Sequence, residues 1–267
     1  MSTDDPGPAA GPPADAPAAA PMVGGLGPGA ESEIEGHLVR RYLMGVSGSA
    51  LALAWARQED APHGATVVVD REVSPLGRLG RMWNTPAEST LSMAVVLRPP
   101  LKVEEADATW LLTGVAAAEG AAAASGKELS TWWPDRVVDS GSGEEVAAFK
   151  VEVQLGPGKV RSAVAGLRLD LDKLGLGAEG RDRLVASVLA AVDQQSTGLD
   201  EGSQGVAAAY EGQCWMMGRR VKLRLLPKGE TRGVVRGIDR SARLELESTT
   251  GLVQRIAIDA LREIEVV

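Results

Sequence analysis

The spacing of apolar and polar residues changes from segment to segment, and each spacing predicts an element. Residues 37–42 (His-Leu-Val-Arg-Arg-Tyr) read as a strand. The Ser47-Gly48-Ser49 turn leads into a helix over 50–57, with Ser47 or Ser49 placed to cap it. Runs at 65–70 and 91–97 are apolar, β-branched and of strand length. Residues 104–125 carry a helical period, with Trp110, Leu111, Val115 and an alanine cluster on the buried side; Gly126 ends it. Trp132 and Trp133 are expected to alternate across a strand over 132–138. Strands at 146–155 and 159–170 form a hairpin turning at Gly156-Pro157-Gly158. A further amphipathic helix is expected over 178–194, then a polar link over 198–205.

The tail has a shorter rhythm. Strands are expected at 221–226, 231–238, 243–247, 253–258 and 264–267, with turn signals such as Pro227-Lys228-Gly229 and Thr249-Thr250-Gly251 between them. Close, regular strand spacing predicts a small β-barrel. At the other end, residues 1–33 are mostly Ala, Pro and Gly and have no hydrophobic period. They lack the apolar surface to offset ordering entropy and are expected to be disordered. Three parts follow: a tail at 1–33, an α/β domain at 34–205 and a β domain at 206–267.

Composition narrows the function. A chain of 267 residues accommodates one medium domain and a small one. Aromatics make up 3%, so the core must be built from Val, Leu and Ala. A net charge of -8 argues against a general nucleic-acid binder, though a local basic pocket stays open. Cys214 is the only cysteine, which excludes an internal disulfide and fits a reducing compartment. No apolar run is long enough to span a bilayer, and the opening Met1-Ser2-Thr3-Asp4-Asp5 is acidic where a signal peptide would be basic. The expectation is a cytoplasmic protein without membrane or DNA partners. His37 and His63 have no partner nearby in sequence, and no Cys/His cluster points to a metal.

The chemistry-bearing stretch is Ser74-Pro75-Leu76-Gly77-Arg78-Leu79-Gly80-Arg81-Met82-Trp83. Gly77 and Gly80 would let backbone N–H groups approach oxygen atoms closely, and Arg78 and Arg81 supply forked, permanent cations. Trp83 closes the run. An anion-binding loop and an ordinary surface loop both fit this stretch alone.

With its neighbours, the stretch resembles biotin–protein ligases of the BirA type, within the biotin/lipoate protein ligase family. The resemblance runs over about residues 36–267. It rests on Gly77 to Trp83 followed by Leu91-Ser92-Met93, on Trp133-Pro134, on Tyr210 to Val221 with Cys214 and Gly218, and on Gly233 to Asp239. It implies an α/β (α+β) fold, a mixed sheet flanked by helices, with a C-terminal SH3-like barrel. It also implies biotin and MgATP as ligands. Biotin would be adenylated and the acyl group passed to a lysine of a carboxyl carrier protein. Such chemistry needs cations around the reacting phosphorus and a loop that excludes water. The ligand-binding candidates carried over are Ser47, Ser49, Gly77, Arg78, Gly80, Arg81, Trp83, Trp133, Pro134 and Gly166.

Each chemical motif departs from the family pattern. The loop G-R-G-R-x-G-R-x-W has Pro75-Leu76 in its first half. In K-W-P-N-D, Trp132 replaces the lysine, Asp135 the asparagine and Arg136 the aspartate. The segment K-L-A-G-I becomes Glu145-Val146-Ala147-Ala148-Phe149, so Glu145 stands where the family has its essential lysine. The motif G-x-G-I-N becomes Ala165-Gly166-Leu167-Arg168-Leu169-Asp170, and the S-T-N turn becomes Ser47-Gly48-Ser49. A carboxylate about 4 Å from a phosphate is repelled by about 4 kcal/mol at an effective dielectric of about 20, roughly a thousandfold in rate at most. Lys150 is five positions from Glu145, which places it on the opposite strand face unless a bulge intervenes. Lys127 reaches in only from a strand end. The expected function is therefore a family member without adenylation or ligation chemistry, one that binds a ligand or docks a carrier. The alternative is an active ligase with a rearranged site. Expected partners are a biotinyl or lipoyl carrier domain or carboxylase subunit, a second copy of the chain, or an active ligase.

Overall fold

The computed structural model describes residues 29–83, 85–199 and 202–267. Strand β2 (His37–Gly45) runs parallel to β3 (Thr66–Glu72), and a parallel pair needs a crossover. Helix α1 (Gly48–Gln58) provides it. Its N-terminus is capped by Ser47, whose Oγ accepts from the Ala50 N–H at 3.5 Å. The remaining pairings are antiparallel, giving one mixed eight-stranded sheet of order β1-β2-β3-β4-β8-β7-β6-β5. The other members are β1 (Ala30–Ile34), β4 (Thr90–Leu97), β5 (Leu129–Trp132), β6 (Arg136–Asp139), β7 (Glu145–Gly156) and β8 (Lys159–Asp170).

Alternation along the central strands sorts the core into two layers. Val67, Val69, Ala94, Val96 and Val164 face α1 with Leu51, Ala52 and Trp55. Val68, Met93, Val95, Phe149, Ala165 and Leu167 face the opposite way. There the sheet is covered by α2 (Ala108–Ser125), backed by α4 (Arg181–Gly198). Every residue of β4 is buried, as a strand covered on both faces must be. Helix α2 is buried around most of its circumference, so it is a central helix and not an amphipathic surface one.

A short helix α3 (Leu171–Leu174) follows β8, and α5 (Ser203–Gly212) leads into the second sheet. That sheet contains β9 (Arg220–Leu225), β10 (Glu230–Ile238), β11 (Leu244–Glu247), β12 (Val253–Ile256) and β13 (Leu261–Val266). Its order is β12-β11-β10-β9-β13, antiparallel throughout. Its buried side chains Val221, Leu223, Val235 and Leu244 join the same core as Trp133 and Phe149.

Four expectations are corrected. The folded chain does not start near Ile34: Ala30–Ile34 is an edge strand paired with β2, while the rest of the expected disordered tail, 1–28, lies outside the described residues. The polar link over 198–205 is interrupted by α5, which starts at Ser203. The long helix begins at Ala108, after a 3-10 turn at Val103–Glu105. Trp132 and Trp133 do not alternate along one strand: β5 ends at Trp132, and the chain turns through Trp133-Pro134-Asp135 into β6.

Candidate functional site

The loop between β3 and β4 folds back on itself through a bridge between Leu76 and Met82. Gly77 lies under Trp83: a Cβ there would sit 2.5 Å from the indole Nε1, so only glycine fits. Arg78 is largely buried, with its Nε and Nη1 engaged. Its Nε donates to Asp135 Oδ2 at 2.9 Å and its Nη1 to the Leu261 carbonyl at 2.6 Å. Arg81 Nη2 donates to the Arg262 carbonyl at 2.7 Å. Both arginines therefore fasten the loop to the C-terminal sheet.

Under this loop lies a cavity of about 470 Å³. Gly77, Arg78, Arg81, Met82 and Trp83 form one wall, and Val146, Ala147 and Ala148 of β7 form another. At its rim stand Asp135, Arg136, Glu145 and Lys173. Arg136 Nε is 3.3 Å from Glu145 Oε2 and 3.9 Å from Asp135 Oδ1. Lys173 Nζ donates to the Glu145 carbonyl at 2.9 Å and pairs with Glu144 at 3.0 Å. Desolvation pushes the Glu145 carboxyl above its ordinary value, and Asp135 adds to this, while Arg136 and Lys173 pull it down. With 46% of that side chain open to solvent, the shift carries little energy.

The inner wall carries Arg168, one half of a buried ion pair. Arg168 projects from β8, and its Nη1 is 3.2 Å from Glu72 Oε2 at the end of β3. The two side chains are 6% and 5% exposed. Glu72 Oε1 also accepts the Gly48 N–H at 2.6 Å, and Arg168 Nη2 donates to the Thr85 carbonyl at 2.8 Å. Arg168 Nε is buried without a partner. The Trp83 ring lies 5.8 Å from the guanidinium carbon. Burial lowers the Arg168 pKa, and Glu72 only partly offsets it.

The structure brings Gly77, Arg78, Arg81 and Trp83 together on the cavity. Gly80 lies in the same loop, exposed and off the lining. Ser47 caps α1. Ser49 and Gly166 meet each other and not the cavity: a Cβ at Gly166 would lie 2.2 Å from Ser49 Oγ. Trp133 is buried in the core, with its Nε1 donating to the Ala242 carbonyl at 2.8 Å, and Pro134 is buried beside it. Glu145 and Lys150 are not separated as a regular strand would separate them, because the β6–β7 register slips between Val137 and Val138. Lys150 is still absent from the lining; its Nζ pairs with Glu152 at 2.9 Å.

The sequence pattern assigns no role to Glu72, Lys173 or Asp170; Lys173 and Asp170 line the cavity, and Glu72 pairs with Arg168. Arg168 stands out in the sequence only as a departure from a motif. The available signal was a charged residue between Leu167 and Leu169 in an apolar strand, which calls for a buried counter-charge. The two histidines have a shared partner far away in sequence. His37 Nε2 is 2.8 Å and His63 Nε2 3.8 Å from the Asp193 carboxylate. Among the described residues, no group of three acidic, His or Cys side chains is placed to hold a metal ion. None of the helices described is long and apolar enough to cross a membrane.

No family model matches the chain. Among solved structures, it is similar to the biotin protein ligase of Aquifex aeolicus in complex with biotin and ATP. The TM-score is 0.67 at 16% identity, covering 86% of this chain and 99% of that one. A biotin protein ligase-like protein of unknown function from Silicibacter sp. aligns with a TM-score of 0.62 at 18% identity, covering 83% and 94%. The fold is thus that of the biotin protein ligases. In sequence, the chain is 26% identical over 146 residues to the bifunctional ligase/repressor BirA of Bacillus spizizenii, covering 54% of this chain and 44% of the relative. BirA of Bacillus subtilis matches at the same identity over 147 residues. The match spans less than half the length of these curated relatives.

Proposed function

We propose that this protein binds a small molecule in the cavity under the Gly77–Trp83 loop and does not run the adenylation and ligation steps implied by its family. The observation that carries this reading is the state of the cations. Arg78 is tied to Asp135 and Leu261, Arg81 to Arg262, Arg136 to Glu145, and Lys173 to Glu144. Acyl-adenylate formation needs positive charge aimed at the reacting phosphate. Here a carboxylate, Glu145, stands at the rim and takes up one of those cations. MgATP chemistry is therefore a poor fit to the residues at the rim. A cavity of this volume lies within the range of small-molecule sites.

A second reading keeps the chemistry. Lys173 places an ammonium group on the cavity beside Glu145, a lysine in the neighbourhood of the missing one. Adenylation by this chain would then depend on Lys173. Docking of a carrier domain, and pairing with a second copy or an active ligase, are further proposals that co-purification tests. The experiment that separates the two main readings is incubation of the purified chain with MgATP and biotin, lipoate and octanoate, products being read by mass spectrometry. The first reading expects no acyl-adenylate while an active ligase in parallel forms one.

A further inference from the structure

We infer that the inner wall of the cavity recognises an oxyanion, a carboxylate or phosphate-ester oxygen, through Arg168, and that Glu72 holds this site until the ligand arrives. The inference rests on the reading of the cavity as a ligand site.

A guanidinium has five N–H donors and is never deprotonated in a protein. Arg168 is 6% exposed and lines the cavity. Among the described residues, two of its nitrogens have partners, Nη1 with Glu72 and Nη2 with the Thr85 carbonyl. Buried polar groups are nearly always satisfied, so the unpartnered Nε marks a capacity that the resting chain does not use. One carboxylate does not offset the desolvation of this cation. A second oxyanion would do so, gripping the Nε edge as carboxylates and phosphates grip arginine.

The Nε atom is covered in the resting chain, so the ligand engages it by turning the guanidinium toward the cavity. That motion releases the Thr85 carbonyl on the loop after Trp83. Glu72 keeps a partner throughout, because its Oε1 accepts the Gly48 N–H. A neutral ureido or amide group offers no charge to this wall. Seated there, it would leave the Arg168 Nε edge without an anion.

The test is calorimetric titration of the full chain with octanoate, octyl phosphate and octanamide, which share a tail and differ in the head. Octanoate or octyl phosphate is expected to bind at least tenfold tighter than octanamide; which of the two is tighter names the oxyanion. Arg168→Gln should abolish the preference, and Glu72→Gln, which frees the guanidinium, should strengthen oxyanion binding several-fold. Each variant is checked for a retained cooperative melt. If Arg168→Gln does not fold, the Glu72→Gln titration decides alone, and no gain in oxyanion affinity overturns the inference. A preference that survives in folded Arg168→Gln places the oxyanion at the rim cations and also overturns it. Equal binding of octanamide overturns the inference and leaves the ligand-site reading standing. No binding of any probe overturns both.

Discussion

Glu145 and Arg136 show how a carboxylate on the cavity is offset. Alone, Glu145 would leave a bare negative charge on the cavity, but Arg136 lies 3.3 Å away on the neighbouring strand. Opposite charges on adjacent strands thus offset each other at the rim. Cys214 gives a direct residue-scale check on the core. Burial pushes its thiol up to about 11, leaving almost no thiolate at neutral pH. The native protein should therefore resist an aromatic disulfide reagent at pH 8, and one thiol per chain should react within seconds of denaturation. Rapid labelling of the folded chain would show the junction of the two sheets to be open.

At the scale of elements, helices α2 and α4 approach backbone to backbone. A Cβ on Gly120 would lie 2.5 Å from Val188 Cα and 2.9 Å from the Ser187 carbonyl oxygen. Two effects of Gly120→Ala oppose each other. Helix propensity favours alanine by about 1 kcal/mol, and overpacking costs about 1–3 kcal/mol. Because the obstructing atoms are backbone, the clash wins and the variant should lose about 1 kcal/mol or more in a urea titration. An unchanged midpoint would mean that the helices separate freely. The same scale shows what the sequence could and could not disclose. The strands of the central sheet are legible because burial on two faces leaves apolar runs, as in Thr90–Leu97. Edge strand β1 is not legible, since Ala-Glu-Ser-Glu-Ile has no apolar face to bury. Helix α5 is hidden by Gly202 at its N-cap and Gly205 within it. In the site, the arginine loop declares itself by composition. The inner wall does not, because Glu72 and Arg168 are 96 residues apart and meet only when β3, β4 and β8 assemble.

For the molecule as a whole, the loop over the cavity is also the joint between the two sheets. Arg78 reaches from the loop to Asp135 on one side and to Leu261 on the other, and Arg81 reaches Arg262. A ligand entering beneath this loop would be sensed by the C-terminal sheet. Arg78→Ala should raise amide hydrogen exchange in residues 74–83 and 258–262 together, while the α2 core stays protected. Exchange rising in the loop alone would contradict a shared joint. The core beneath is continuous from Phe149 to Leu244, so the C-terminal sheet is packed on, and not merely tethered.

The central claim is that this biotin ligase fold holds a ligand without activating it. The most direct measurement is acyl-adenylate formation by the purified chain with MgATP and each candidate acid, followed by mass spectrometry beside an active ligase. The account predicts no adenylate with biotin, lipoate or octanoate. An adenylate formed at a rate comparable to the active ligase, and lost in Lys173→Met, would contradict it and make Lys173 the replacement for the missing lysine.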